Sequence, residues 1–259
     1  MSSATYLTSG IVLKRRDYRE YDRLVTIFTE EYGKIDAVAR GVRKIISKLA
    51  GHLEPMSYSS FMFARGRMFD VLATSIKLSS FRIPQTDVLA FALSSFFFEA
   101  VDRLTRSNQT DRALFRLLVE FLKLLESTVE EGSHATDFQR ILVTEYFLFQ
   151  LLRQLGYAPV LDYCSVGNEA LTAEPSFLSP KLGGLACAEH RGTETFVATL
   201  SKQSVEIFRL MADQELAAVR FINRQDVSLR QIGNAMNILL IYQLGEPLQS
   251  QAFLTSVLQ

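Results

Sequence analysis

The first 80 residues and the rest of the chain have different hydrophobic periodicities. Up to residue 80, short runs rich in β-branched and aromatic residues alternate with turn residues, which is the pattern of β-strands. The five predicted strands cover residues 5–15, 23–31, 34–42, 57–65 and 69–78. Five strands this short, in a segment of about 75 residues, are typical of a small closed barrel rather than an open sheet.

The connection between the third and fourth predicted strands is longer than the others. Five strands with an insertion after the third are the arrangement of an OB-fold, a common platform for single-stranded nucleic acid. An SH3-like barrel has the same number of strands, so it stays open as an alternative.

The insertion contains the basic segment ARGVRKIISKLAGHLEP at residues 39–55. On a helical wheel its apolar side chains share one side, namely Ile45, Ile46, Leu49 and Leu53. The basic side chains fall on the opposite side, namely Arg43, Lys44 and Lys48. We therefore expect a short amphipathic helix that closes one end of the barrel and turns its cations outward.

From Pro84 onward the apolar residues recur every three or four positions, which indicates helices. The predicted helices cover residues 87–106, 110–132, 134–156, 202–215, 228–243 and 248–258. Residues 157–200 interrupt this pattern with three prolines and a Gly-Gly pair, so we expect a loop-rich insertion with a small hairpin. The sequence thus predicts the α+β class, with a five-stranded OB-fold barrel at 1–80 and a mostly helical domain at 81–259.

The charge of the chain is balanced overall but divided unevenly along its length. The whole chain has 28 Lys+Arg and 28 Asp+Glu, which by itself argues against a nucleic-acid-binding protein. Residues 1–80, however, contain 13 basic and 8 acidic residues, and residues 81–259 contain 15 and 20. We expect a polyanion to bind the first part and protein partners to bind the second.

The two cysteines and the hydropathy pattern predict a soluble cytoplasmic protein. A secreted disulfide scaffold normally has more cysteines, and no signal segment is recognisable at the start. The longest apolar stretch, residues 88–101, reaches Glu99 after eleven residues, which is too short to cross a bilayer.

Motifs of enzyme active sites are missing from the sequence. It contains no phosphate-binding G-x-x-x-x-G-K-[ST] loop, no G-x-G-x-x-G turn, no G-x-S-x-G elbow and no H-E-x-x-H helix. The three histidines lie far apart, at positions 52, 134 and 190. We therefore expect a protein that is not an enzyme.

Basic residues interleaved with aromatic ones give the strongest functional signal. We expect DNA to bind the basic residues of the first hairpin, of the insertion and of the last turn, namely Lys14, Arg15, Arg16, Arg19, Arg40, Arg43, Lys44, Lys48, Arg65 and Arg67. Four aromatic residues are candidates for stacking on bases, namely Tyr18, Tyr21, Tyr58 and Phe63. The alternative is an ordinary solvated surface around core aromatics.

The loop-rich insertion raises the question of a metal. Cys187 and His190 have the spacing of metal ligands, and Cys164 is a third candidate. Structural zinc almost always takes four protein ligands, and Gly167, at the matching position after Cys164, cannot bind it. We therefore expect a zinc-finger-like loop with no bound cofactor, leaving a metal-dependent hydrolase at these three residues as a remote alternative.

Several stretches resemble the RecO family of bacterial recombination mediators. They are GIVLKRRDYREYDRLVTIFTEEYGKIDAVARGVRK and KLAGHLEPMSYSSFMF in the first part, then LGYAPVLDYC at 155–164, GGLACAEH at 183–190 and LIYQLGEPLQSQAFL at 240–254. They follow the order of the family's landmarks along nearly the whole chain.

The resemblance implies a role in DNA repair and homologous recombination. It implies binding of single- and double-stranded DNA and annealing of strands coated with single-stranded-DNA-binding protein. It also implies loading of the RecA recombinase with RecR and, in some systems, RecF, in the bacterial cytoplasm near the nucleoid. Arg40, Arg43 and Lys44 inherit the expectation of DNA binding. The other hypothesis is a protein–protein adaptor that does not bind nucleic acid.

Many members of that family carry C-x-x-C twice in the loop. Here the second position of each pair is replaced, by Gly167 and by His190. The resemblance therefore gives an expectation of either a zinc-binding loop or its remnant, and these replacements favour the remnant.

Overall fold

The computed structural model of the chain describes residues 5–45, 47, 49–81, 87–129, 135–171, 175–191, 198–214, 216–220, 222 and 229–258. The chain divides into two compact units. The first is Met1–Ser94 with Val101–Glu130, and the second is Ser95–Ala100 with Glu131–Gln259.

Five strands close into a barrel in the first unit. They are β1 (Thr5–Asp17), β2 (Arg23–Thr29), β3 (Gly33–Ala39), β4 (Ser57–Ala64) and β5 (Asp70–Ser80). The order around the barrel is β1-β2-β3-β5-β4, with β3 and β5 parallel and the other neighbours antiparallel. This order and the long β3–β4 connection agree with an OB-fold, so the predicted barrel and α+β class are confirmed.

The interior of the barrel is filled by alternate residues of the strands, because successive side chains of a strand point to opposite faces. The fully buried members of this core are Val12, Val25, Ile27, Ala37, Ala39, Phe61 and Phe63. The same alternation made the strands recognisable in the sequence.

The segment after β3 is not the amphipathic helix that the sequence predicts. Residues 41–45 form turns, and the only helical piece described between β3 and β4 is a 3₁₀ helix at Ala50–His52. Ile45 is fully exposed, whereas Leu53 is buried in the barrel core and Leu49 packs against it. Apolar closure of the barrel is therefore present but does not involve Ile45. The predicted positions Ile46 and Lys48 lie outside the described residues.

Hydrogen bonds hold this segment against the β1–β2 loop. The backbone N–H of Gly41 donates to Asp22 Oδ1 at 2.8 Å, and the N–H of Arg43 donates to the Tyr21 carbonyl at 3.0 Å. Gly41 has a φ of +62°, which glycine adopts without the strain that a side chain would cause. The N–H groups of Lys44 and Ser47 then donate to carbonyls three residues earlier, which is the pattern of turns rather than of an α-helix.

Two helices complete the described part of the first unit, the second of them wholly and the first without its residues 95–100. Helix α1 (Val88–Leu104) begins after the predicted cap Asp87, whose side chain accepts from the N–H of Ala90 at 2.9 Å. Helix α2 (Arg112–Ser127) begins in the same way after Asp111, and its Phe115 ring packs against Tyr58 of β4.

The end of α1 forms an ion-pair network with the barrel. Lys34 of β3 is 8% exposed, and its Nζ donates to the carbonyls of Asp102 and Thr105 and lies 3.3 Å from Asp102 Oδ1. Asp102 Oδ2 also pairs with Lys14 of β1. One carboxylate thus pairs with a buried and an exposed lysine, which leaves the group with a net positive charge.

Five further helices and a small sheet lie in the described part of the second unit. The helices are α3 (Asp137–Gln154), α4 (Lys202–Ala212), α5 (Leu216–Arg220), α6 (Leu229–Leu244) and α7 (Ser250–Val257). The sheet is β6 (Ser176–Ser179), β7 (Gly184–Ala186) and β8 (Ala198–Leu200), in the order β7-β6-β8. The hairpin expected in the loop-rich insertion corresponds to β6–β7. The predicted helix ends at 132, 134, 215 and 228 lie outside the described residues.

Helix α3 forms the centre of this unit. Thr136 and Gln139 begin it with reciprocal capping bonds. Its Phe147 and Phe149 are fully buried, against Phe97 and Phe208 respectively. Glu99 accepts from the backbone N–H groups of Gln249 and Ser250, so it serves as the N-terminal cap of α7. None of the described helices is long and apolar enough to span a membrane.

Replacing Asp102 with alanine should lower the free energy of unfolding by about 3 kcal/mol, because the buried Lys34 ammonium would lose its counter-ion. Asp17→Ala is the control, since Asp17 pairs with Arg23 and Arg43 but is 59% exposed. Its loss should be under about 1 kcal/mol. Urea unfolding measures both, and equal losses would contradict the assignment.

The carboxyl of Glu145 on α3 is buried against α6. A Cβ on Gly233 would lie 3.5 Å from Glu145 Oε1, and Oε2 has no hydrogen-bond partner among the described residues. Burial raises the pKa of Glu145 to about 8. The folded chain therefore holds this proton up to about pH 8, whereas the unfolded chain releases it near the ordinary pKa of 4.5.

As the pH rises from about 4.5 to 8, the wild-type chain should thus lose stability relative to Glu145→Gln. The difference should reach on the order of a few kcal/mol, because ionisation of Glu145 favours only the unfolded state in this range. Chemical denaturation at pH 5, 6.5 and 8 measures it. The exposed Glu206 of α4 provides a control, and a Glu206→Gln difference of the same size would exclude Glu145 as the source.

Candidate nucleic-acid interface and metal centre

The β1–β2 loop and the turn after β3 lie against each other at an end of the barrel, where they carry four exposed cations and the exposed Glu20. Within the loop, the Tyr18 N–H donates to the Asp22 carbonyl at 3.1 Å. The bonds from Gly41 and Arg43 then hold the turn against this loop. We call this surface the rim; its exposed cations are Arg19, Arg40, Arg43 and Lys44.

Aromatic rings alternate with cations on the rim. The Arg19 guanidinium lies 5.2 Å from the ring centroid of Tyr18, and Lys44 Nζ lies 5.5 Å from that of Tyr21. Both rings are accessible, with 38% and 47% of their surface exposed. Each ring is therefore positioned next to a charge that can hold a phosphate.

The β4–β5 loop reaches the same rim. Phe69 packs edge-on against Tyr18, with ring centroids 6.0 Å apart. The neighbouring Arg67 and Met68 are exposed, Met68 to 81%. In OB-folds the β1–β2 and β4–β5 loops are among the segments that bind oligonucleotides, and here a ring contact joins them.

Strands β2 and β3 offer little free surface beside these loops. Five of their six outward residues are almost completely buried, namely Leu24, Thr26, Phe28, Lys34 and Val38. The sixth, Asp36, is half-buried and accepts a hydrogen bond from the Thr26 hydroxyl at 2.6 Å. In OB-folds this strand face is the other part of the binding surface. A ligand of this barrel therefore has the loops available rather than the strand face.

The structure divides the ten predicted basic residues into three groups. Those paired with carboxylates are Lys14 with Asp102, Arg15 with Glu54 and Arg43 with Asp17. Those exposed without an ion pair in the described part of the chain are Arg16, Arg19, Arg40, Lys44, Arg65 and Arg67. Lys48 lies outside the described residues.

Arg65 is held apart from the rim by its own aromatic contacts. Its guanidinium lies 4.8 Å from the ring centroid of Tyr6 and 6.0 Å from that of Tyr32. The Tyr6 hydroxyl donates to Asp70, and burial together with this carboxylate raises the pKa of Tyr6 above its ordinary value. Arg65 is thus part of a packed cluster at the start of β1.

Only two of the four predicted stacking residues are available for that role. Phe63 is fully buried in the barrel core, so its prediction as a stacking surface is wrong. Tyr58 packs against Phe115 of α2. Tyr18 and Tyr21 remain.

A second site lies in the loop-rich insertion, where two turns face each other. In the first turn, the N–H of Cys164 donates to the Glu169 carbonyl at 2.9 Å. In the second turn, the N–H of His190 donates to the Cys187 carbonyl at 3.2 Å. The Ser165 N–H donates to the Leu185 carbonyl at 2.7 Å and joins the turns.

These turns bring four possible metal ligands within 4.8 Å of one another, namely Cys164, Glu169, Cys187 and His190. The prediction that only three such ligands are available is therefore wrong. Glu169 lies five residues after Cys164, outside the C-x-x-C spacing typical of zinc ligands, so the sequence pattern does not indicate it. Cys164 is buried, Cys187 and His190 are half-buried and Glu169 is exposed.

Hydrogen bonds inside this cluster change the acidity of its members. The Cys187 thiol donates to Glu169 and lowers the pKa of that carboxyl to about 2. Burial raises the pKa of Cys164, but N–H donors of Gly167, Cys187 and Val166 outweigh it and lower the pKa. Bonding to Cys164 and Glu169 raises the pKa of His190.

The donor set fits structural zinc. Zinc takes four ligands at about 2.0–2.3 Å, so tetrahedral neighbours lie about 3.3–3.8 Å apart. His190 Nδ1 is 3.6 Å from Cys164 Sγ and 3.2 Å from Cys187 Sγ, close to that range. Four protein ligands would leave no position for a reacting water, which argues against the hydrolase alternative.

The structure defines the class of protein, an OB-fold barrel followed by a helical region with a loop that holds four possible metal ligands. Residues 1–81 match the family model described as "Recombination protein O N terminal", and residues 85–252 match "Recombination protein O C terminal". The chain belongs to the RecO family.

Individual relatives are similar over nearly their whole length. The DNA repair protein RecO of Pelotomaculum thermopropionicum is 31% identical over 256 residues, which cover 96% of this chain and 93% of that protein. The proteins of the same name from Dehalococcoides mccartyi strain 195 and Roseiflexus sp. strain RS-1 are each 29% identical, over 92% and 100% of this chain and 91% and 88% of theirs.

Proposed function

We propose that this protein is a mediator of DNA repair and homologous recombination that binds single- and double-stranded DNA and anneals complementary strands. Its relatives are named DNA repair proteins. The observation that carries the proposal is the rim, where hydrogen bonds between two loops hold Arg19, Arg40 and Lys44 beside exposed tyrosines.

The mechanism involves no covalent step, so the protein acts without being an enzyme. Rim cations neutralise phosphates and release condensed counterions, which gives affinity without sequence preference. Tyr18 and Tyr21 offer ring faces on which unpaired bases stack. When two complementary strands lie on cations of this kind, their mutual repulsion falls and pairing becomes faster.

Protein partners complete the proposal. They are RecR, single-stranded-DNA-binding protein, RecF and RecA, which would act with this protein in loading recombinase onto coated single strands in the cytoplasm at the nucleoid. The acidic excess of residues 81–259 supports protein contacts in that part of the chain.

Replacing Arg19, Arg40 and Lys44 together with alanine should weaken binding to all DNA sequences. It should also flatten the slope of log K against log salt by about one to three units, because fewer counterions are released. Fluorescence anisotropy between about 50 and 200 mM salt measures this. Annealing of oligonucleotides coated with single-stranded-DNA-binding protein should slow in parallel.

The control triple is Lys77, Arg112 and Lys123, which are exposed cations of the same unit away from the rim. Its replacement by alanine removes the same charge and should leave the slope nearly unchanged. If both triples behave alike, the rim is not the interface. A wild-type protein that does not retain single strands at low salt would support the adaptor hypothesis instead.

Replacing Tyr18 and Tyr21 with alanine should weaken single-strand binding by about 1–3 kcal/mol for each base that stacks. Duplex binding should change less, because paired bases stack on one another. Phenylalanine at both positions keeps the ring faces and should bind as the wild type does. Equal losses for alanine and phenylalanine would show that the hydroxyls, not the rings, matter.

A further inference from the structure

The volume next to Gly167 is occupied by the side chain of a neighbouring residue. A Cβ built on Gly167 would lie 2.0 Å from Glu169 Oε2 and 2.6 Å from His190 Cε1. Real Cβ atoms do not come this close to other atoms, so a side chain at 167 excludes the present positions of both the Glu169 carboxylate and the His190 ring. The carboxylate therefore fills the place that a ligand at position 167 would take.

The Glu169 carboxylate is directed at the other members of the cluster. Its Oε1 is 3.0 Å from Cys187 Sγ and 3.1 Å from His190 Nδ1. His190 Nδ1 in turn has Cys164 Sγ and Cys187 Sγ at 3.6 and 3.2 Å. A ring nitrogen carries one proton at most, so it cannot donate to three acceptors at once. The four ligand atoms of this cluster all lie within 4.8 Å of one another, so a single ion could contact them all.

We propose that Glu169 is the fourth ligand of a zinc-class metal ion, taking the place of the side chain that Gly167 lacks, together with Cys164, Cys187 and His190. Two thiolates and an imidazole select a borderline-soft ion such as Zn²⁺ or Co²⁺ over Mg²⁺ or Ca²⁺, which prefer oxygen ligands. The ion joins the turn after Cys164 to the turn after Cys187, so its role is structural.

The test measures metal binding by the full-length chain, independent of any activity on DNA. Metal-free protein is titrated with Co²⁺, whose charge-transfer absorption reports thiolate ligands, and zinc is counted after reconstitution and dialysis. Wild-type protein should hold one ion per chain with two thiolate ligands. Glu169→Ala should weaken binding at least about tenfold.

Glu189 provides the matched control, because it is an exposed glutamate between Cys187 and His190 and is outside the ligand set. Glu189→Ala should bind metal as the wild type does. A wild-type chain with well under one ion, or a Glu169→Ala variant with wild-type affinity, would overturn the proposal.

The double variant Gly167→Cys with Glu169→Ala tests the exchange of positions directly. It should recover tight binding and raise the thiolate absorption of the Co²⁺ form by about half, since three thiolates would replace two. Circular dichroism confirms that the variants are folded. If the folded double variant binds no better than Glu169→Ala, the carboxylate does not stand in for position 167 and the proposal fails.

Discussion

The basic rim depends on hydrogen bonds between residues of two loops that are 19 positions apart (Gly41 and Asp22) and 22 positions apart (Arg43 and Tyr21) in sequence. Gly41 and Arg43 donate their N–H groups to Asp22 and Tyr21, and Gly41 adopts the positive φ that this approach requires. Ordering a loop costs about 1–2 kcal/mol of backbone entropy per residue. Bonds that restrain both loops spare a ligand part of that cost, so cations on the rim are partly positioned before anything binds.

The number of basic residues among the first 80 is larger than the number of unpaired cations that the rim exposes to solvent. Asp102 pairs with both Lys14 and Lys34, and Glu54 pairs with Arg15. These carboxylates reduce the positive potential that the paired cations contribute outside the barrel. What remains near the rim is a smaller set of exposed side chains, and a local set is sufficient because the potential that attracts a polyanion depends on nearby charge more than on the net charge of the chain.

The strands and long helices could be predicted because each buries one face of a regular repeat, and that repeat is written in the order of residues. The conformation of the basic insertion could not be predicted from such a repeat. Ile45 and Leu49 have helical spacing, yet the backbone of Gly41 and Arg43 is used by a loop that no local pattern indicates. Lys14 is paired with Asp102, a residue 88 positions away in sequence. The sequence pattern therefore could not show that this lysine is paired with a carboxylate rather than free to bind DNA.

The same limit explains the missed ligand. The C-x-x-C pattern expects both ligands of a pair at fixed positions of one turn, and the glycine at position 167 does not satisfy it. In the folded chain, the hydrogen bond between Cys164 and the Glu169 carbonyl brings a later residue back over the glycine. A missing side chain then creates the space that another side chain fills, which only the three-dimensional turn reveals.

Burial of the β2–β3 face bears on how strands could be annealed. Other OB-folds bind the bases of an oligonucleotide on the face of strands β2 and β3. In this barrel Leu24, Thr26 and Phe28 of that face are almost inaccessible. Contacts confined to loop cations and two tyrosines would engage the backbone and only a few bases. The remaining Watson–Crick edges would stay free to meet a complementary strand, and this is the arrangement that annealing without sequence preference requires.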